Sequence, residues 1–136
     1  MLAGAPNKAK ILLVDDEQDI TTVLKQNLEE VHGYFVHASN KPERALSDFK
    51  PRFYDAILLD IRMPSMSGFE LARAIWEKDP DARICFMTAF EIYEGEAKKV
   101  FKDFKQHCFL KKPIHAKALV EHIEKHLLNA QVHNPR

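Results

Sequence analysis

A doubly wound α/β fold, (βα)5, with one five-stranded parallel sheet between two helical layers, is predicted here by three observations. Strand-like and helix-like segments alternate five times along 136 residues. The strand-like runs Ile11-Leu-Leu-Val14, Ala56-Ile-Leu-Leu59 and Ile84-Cys-Phe-Met87 are continuously apolar, as buried parallel strands are. Each run also ends in a polar group: Asp15-Asp16, Asp60 and Thr88, with Lys112-Pro113 after Phe109-Leu110. Open parallel sheets place their sites at the carboxyl ends of the strands.

Each element follows from its own signals. Residues 10–14 read as the first strand. Ile20, Val23, Leu24, Leu28 and Val31 then recur at helical spacing, and His32-Gly33 stops that helix. The second strand is 34–38. Asn40 is expected to cap a helix over 41–50, with Pro42 in the first turn, where its missing N–H costs nothing. Residues 55–60 form the third strand, followed by the turn-rich loop 62–68. Ser67 caps a helix on which Phe69, Ala72, Ile75 and Trp76 share a face. The fourth strand is 83–87. A lysine-rich helix over 94–107 carries Val100, Phe101 and Phe104 on its apolar side, a short fifth strand spans 108–110, and an amphipathic helix over 115–129 closes the fold. The domain is bounded at 9–129, between tails at 1–8 and 130–136.

Lys plus Arg and Asp plus Glu both number 20, so no global field draws the chain to nucleic acid or an anionic membrane. The first ten residues hold no signal-like apolar stretch and no run approaches a membrane span, which points to a soluble cytoplasmic protein. In that setting Cys85 and Cys108 are expected to be buried and reduced rather than bridged. His122 and His126, four apart on the last helix, read as solvent-facing, as do Lys98, Lys99, Lys102 and Lys105 on the fourth.

Asp15, Asp16 and Asp60 carry the chemistry. Two carboxylates about 4 Å apart repel by roughly 4 kcal/mol at an effective dielectric of 20, so three in one cleft need a proton, a cation or a lysine to offset them. Mg²⁺ suits them, with Mn²⁺ as a substitute: a hard ion, it takes oxygen ligands from a few carboxylates and a phosphate. Thr88 offers a hydroxyl donor and Lys112 a charge-assisted one to phosphoryl oxygens, and Asp60 as nucleophile would give an acyl phosphate.

On Ile11-Leu-Leu-Val-Asp-Asp-Glu17, Ile57-Leu-Leu-Asp-Ile-Arg-Met-Pro64 with Gly68, Met87-Thr-Ala89 and Phe109-Leu-Lys-Lys-Pro113, the chain resembles the receiver domain of two-component response regulators. The resemblance covers roughly residues 9–129 and implies the flavodoxin-like form of this fold, in a single-domain phosphorelay signalling protein. It implies that Asp60 is the phosphoacceptor, and that Asp16 binds Mg²⁺ directly and Asp15 largely through water, with the backbone carbonyl of Arg62 as a further ligand. Thr88 and Lys112 would hold the phosphoryl oxygens, Thr88 and Phe109 would form the switch, and the bond before Pro113 would be cis. Arg62 and Phe90 fall where the family tunes phosphate loss. A phenyl ring at 90 cannot orient an attacking water, so a long-lived phospho-form is expected.

The phosphodonor would be a sensor histidine kinase or histidine phosphotransfer protein. A downstream protein would be met through the fourth helix, fifth strand and fifth helix, by a monomer or a phosphorylation-dependent dimer. The segment 104–108 departs from the family's small-residue turn at that face. The chain would catalyse only its own phosphorylation and dephosphorylation, and would not be a metabolic enzyme. A haloacid-dehalogenase-type phosphatase wants a second Asp where Arg62 stands, and Arg62 cannot act as a general acid. A docking module that never turns over phosphate would usually have lost one of these groups. A flavin site lacks its phosphate-cradling loop, and direct nucleic-acid binding lacks a reading helix.

Overall fold

The computed structural model describes residues 9–89 and 108–128. Phe90, the helix expected over 94–107 and both tails lie outside the described residues. The elements in order are β1 (Lys10–Val14), α1 (Gln18–Glu30), β2 (Phe35–Ser39), α2 (Pro42–Asp48), β3 (Ala56–Asp60), α3 (Gly68–Lys78), β4 (Ile84–Thr88) and β5 (Cys108–Lys111). A C-terminal helix, Ala116–His122, then widens into a π-helical turn at Ile123–Leu128. All strand pairs are parallel, in the order β2-β1-β3-β4-β5. The chain reverses its winding between β1 and β3, which opens a crevice at their carboxyl ends.

Side-chain alternation splits the core into two layers. Leu12, Val14, Ile57, Leu59 and Phe86 pack on one face of the sheet with Ala45, Phe69, Ala72 and Ile75 of α2 and α3. Ile11, Leu13, Leu58, Cys85 and Met87 pack on the other with Leu24 and Leu28 of α1 and Leu119 and Ile123 of the C-terminal segment. Leu12, Leu13, Leu58 and Leu59 are fully enclosed. At about 1.5–3 kcal/mol for each such side chain, these central strands anchor the site at their ends.

Register decides what meets at that edge. Val14 pairs with Leu59, Asp60 with Met87, and Thr88 with Lys111. The ladder continues one step further, as Ile61 N donates to Met87 O at 2.9 Å and Lys112 N to Thr88 O at 2.7 Å.

Several expectations differ from what forms. Asn40 does not cap α2; Lys41 holds that position without a side-chain bond. The Asn40 amide instead donates to Asp15 O at 2.8 Å and Thr21 Oγ1 at 2.9 Å, tying β2 to the acidic loop. Val23 and Val31 are not core residues but are 64% and 66% exposed, because the buried stripe of α1 runs through Thr21, Leu24 and Leu28. Cys85 and Cys108 are bridged, not reduced. Their positions are register partners on β4 and β5 with Cα atoms 4.6 Å apart, a pairing that compartment reasoning does not see.

The α3 start is built as its sequence indicates. Ser67 Oγ accepts from Glu70 N while Glu70 accepts from Ser67 N, a capping box. Gly68 at its first position donates its N–H to Ile61 O at 2.8 Å. A Cβ there would collide with the Asp60 carbonyl oxygen. Gly68→Ala is expected to cost about 1–3 kcal/mol, as overpacking does, and to disturb the Asp60 backbone. Urea unfolding within about 0.5 kcal/mol of wild type would refute the collision.

Candidate functional site

Asp15 follows β1 directly, Asp60 ends β3, Thr88 ends β4 and Lys112 follows β5, so four strands each deliver one polar group to the same edge. Asp15 is fully buried, and Asp60 and Thr88 are 4% and 3% exposed, whereas Asp16 is exposed. The three carboxylates place oxygens within 4.8 Å of one another.

Local bonds hold the loop. Asp15 N donates to Ser39 O at 3.1 Å, and Asp15 Oδ1 accepts from Glu17 N at 2.9 Å as α1 begins. Lys112 Nζ lies 2.5 Å from Asp15 Oδ2, 3.2 Å from Asp60 Oδ1 and 3.4 Å from Glu17 Oε1. Glu17 is a member of this cluster that sequence reasoning missed as a contact, although it stands in the Asp-Asp-Glu run. The Lys112–Pro113 peptide bond is cis.

Carboxylates outnumber the ammonium at this edge. Burial first, and then the Asp15 charge, raise the Asp60 carboxyl to about 6, with a smaller push from Asp16 and a partial offset from Lys112. Burial would lower the Lys112 ammonium, but the bonds and charges of Asp15 and Asp60 outweigh it and raise it. One ammonium thus serves two buried carboxylates. Asp15 Oδ2 ion-pairs with it, yet is buried without a well-aligned hydrogen bond. An all-oxygen donor set with surplus negative charge fits a hard divalent cation.

Phe109, expected as the switch aromatic, is half-buried. Its ring stacks on Phe86 with centroids 5.4 Å apart and meets Phe69 edge-on at 6.5 Å. Arg62 follows β3 in the loop before α3 with its side chain exposed. Beside Lys112 an apolar depression of about 660 Å³ is lined by Ile20, Val23, Leu24, Met87, Pro113 and Ile114. His122, expected to face solvent, is instead partly buried with its Nε2 2.9 Å from Cys108 Sγ, and the side chain of His126 lies outside the described residues.

Comparison with known proteins agrees with this geometry. The family model for the response regulator receiver domain matches residues 11–124. The response regulator receiver protein CpdR of Brucella abortus is 36% identical over 125 residues, which span 89% of this chain and 98% of that protein. A CheY-like receiver domain protein from Methanospirillum hungatei superposes with a TM-score of 0.80 at 25% identity, covering 93% of this chain and 99% of the other. The Thermotoga maritima response regulator TrrA, solved in complex with Mg(2+)-BeF, gives 0.70 at 32% identity over 88% and 99% of the two chains. With the acidic crevice, the strand order and the matched sequence in agreement, the chain belongs to the response regulator receiver domain family.

Proposed function

We propose that Asp60 accepts a phosphoryl group in a Mg²⁺-dependent reaction. The observation that carries this reading is a buried Asp60 carboxylate set between Asp15 and Lys112, at the crevice where the sheet reverses its winding. An Asp60 oxygen attacks the phosphorus of a phosphohistidine, the P–N bond breaks, and the imidazole leaves with that electron pair. Lys112 neutralises one phosphoryl oxygen and Thr88 donates its hydroxyl to another. Asp15, Asp16 and Asp60, with the Arg62 carbonyl, would hold Mg²⁺ or Mn²⁺, whose charge offsets the crowded oxygens. TrrA, the relative in complex with Mg(2+)-BeF, supports such a pairing of ion and phosphoryl-like group.

Thr88 moving toward the phosphoryl group would let Phe109 turn further inward, a local charge event biasing a two-state surface. That surface would include the fourth helix, β5 and the C-terminal helix, and would meet a downstream protein, with dimerisation as one readout. The donor would be a histidine kinase or phosphotransfer protein in the cytoplasm. Among the described residues no helix is long and apolar enough to cross a membrane.

Intact mass after incubation with acetyl phosphate tests the assignment. One phosphoryl group gained with Mg²⁺, lost on chelation and absent from Asp60→Asn, is the expected result. No gain in wild type under any condition would leave the chain a docking module. Following the decay then tests Phe90: a long-lived product is expected, and a half-life of seconds would remove any shielding role for that ring.

A further inference from the structure

On the face of the sheet opposite Phe86 and Phe109, a second cluster of reactive groups lies apart from the acidic crevice. Cys85 and Cys108 are joined across β4 and β5, and His122 Nε2 of the C-terminal helix lies 2.9 Å from Cys108 Sγ. The two sulfurs and the imidazole fall within 4.8 Å of one another. We propose that Cys85, Cys108 and His122 form a thiol–disulfide exchange site whose co-substrate is a small disulfide of the glutathione type.

Relative burial assigns the roles. Cys85 is fully buried, whereas Cys108 and His122 are only partly buried, so Cys108 is the more accessible of the two sulfurs and the one assigned to meet a small disulfide first. An imidazole against a cysteine sulfur favours the thiolate, which is the nucleophile. The Cys108 thiolate attacks one sulfur of the small disulfide, forming a mixed disulfide and releasing one small thiolate. The Cys85 sulfur, as thiolate, then attacks Cys108 Sγ and releases the second. Two protein thiols lose two electrons and two protons, and the small disulfide gains both as two thiols. In the bridged form neither sulfur retains a thiolate charge for a metal, so the same triad is read as a redox site before a zinc site. A bridge of this kind inside a reducing compartment is typically transient and sensing rather than structural.

The bridge ties β4 to β5 three residues before Thr88 and immediately before Phe109. It therefore fixes the two strands that carry the switch pair, a consequence that rests on the phosphoacceptor reading above.

The test equilibrates the full chain across glutathione buffers of rising oxidation, quenches with acid, and reads intact mass after alkylation. Wild type is expected to lose two hydrogens and two alkylable thiols together over a defined range of potential. Cys85→Ala should accumulate one glutathione on Cys108, and Cys108→Ala should take up little. His122→Gln should slow closure by roughly threefold to tenfold without preventing it. A bridge that neither opens nor closes across the series, or reduced wild type that takes up one Zn²⁺ and then resists oxidation, would overturn the proposal. Acetyl phosphate labelling of the closed and opened forms reads the coupling separately. Opening is expected to speed labelling at least about fivefold, the low end of ordinary coupling between sites. Equal labelling would sever the bridge from the switch while the thiol chemistry stands, and no labelling of either form would indict the phosphoacceptor reading instead.

Discussion

Without Mg²⁺, wild type is expected to lose about 2–3 kcal/mol of stability relative to Asp60→Asn as pH rises from 4 to 7. The Asp60 carboxyl sits at about 6 in the folded chain, against an ordinary value of 3.8. Between those values the folded state binds a proton that the unfolded state has released, so stability falls as pH rises. The rise of roughly two units, at about 1.4 kcal/mol each, gives the magnitude. Well below 3.8 the penalty is absent because both states are protonated, and well above 6 it is complete. Lys112, raised from 10.5, stays charged throughout this window and adds no slope of its own. Asparagine at 60 removes the titration, so the difference between the two urea-derived stability curves isolates it from every other carboxylate. Mg²⁺ should return much of the loss to wild type above pH 6 and far less to the variant, because the ion binds the carboxylates it stabilises. Parallel curves from pH 4 to 7 would mean that Asp60 is not held in a charge-starved crevice.

The parts legible in the sequence are those where one physical constraint acts alone. The central strands are continuously apolar because both faces are covered, and the polar residue at each run's end marks where a strand surfaces. Three carboxylates, a hydroxyl and an ammonium could therefore be gathered at one edge before any register was known. What stayed hidden depends on which residue lies opposite which. Asn40 has the chemistry of a cap, but its amide is taken by Asp15 O and Thr21 Oγ1 from other elements. Val23 fits the apolar period of α1 yet faces the open depression beside Pro113, since the helix needs only a narrow stripe to cover the sheet. Cys85 and Cys108, 23 residues apart, pair through the β4–β5 register and meet His122 through helix packing. Neither the pairing nor the contact leaves a periodic trace in the chain. The π-helical turn after His122 is likewise silent, because Leu119 and Ile123 keep ordinary helical spacing.

Lys112→Met is expected to destabilise the Mg²⁺-free protein by about 3–5 kcal/mol at pH 7, the range for breaking a buried ion pair from one side. Lys112 Nζ is the shared cation for Asp15 Oδ2 at 2.5 Å and Asp60 Oδ1 at 3.2 Å, and its side chain is only 8% exposed. Methionine fills the same volume, so the loss reports charge rather than packing. The buried carboxylates would then face each other uncompensated, and Asp60 would recover part of the cost by holding its proton to higher pH. The deficit should thus shrink toward pH 5, whereas a packing defect would be indifferent to pH. A divalent ion would now supply the missing charge without competition from the ammonium. Mg²⁺ should accordingly stabilise Lys112→Met more than it stabilises wild type, read as the larger shift in unfolding midpoint at equal Mg²⁺. Phosphorylation should nonetheless fall, since one phosphoryl oxygen has lost its partner. Lys111→Met, one residue earlier and exposed, should stay within about 0.5 kcal/mol of wild type. Equal Mg²⁺ shifts in Lys112→Met and wild type would show that ammonium and ion do not share one charge-deficient crevice, and the electrostatic account of the site would fail with that result.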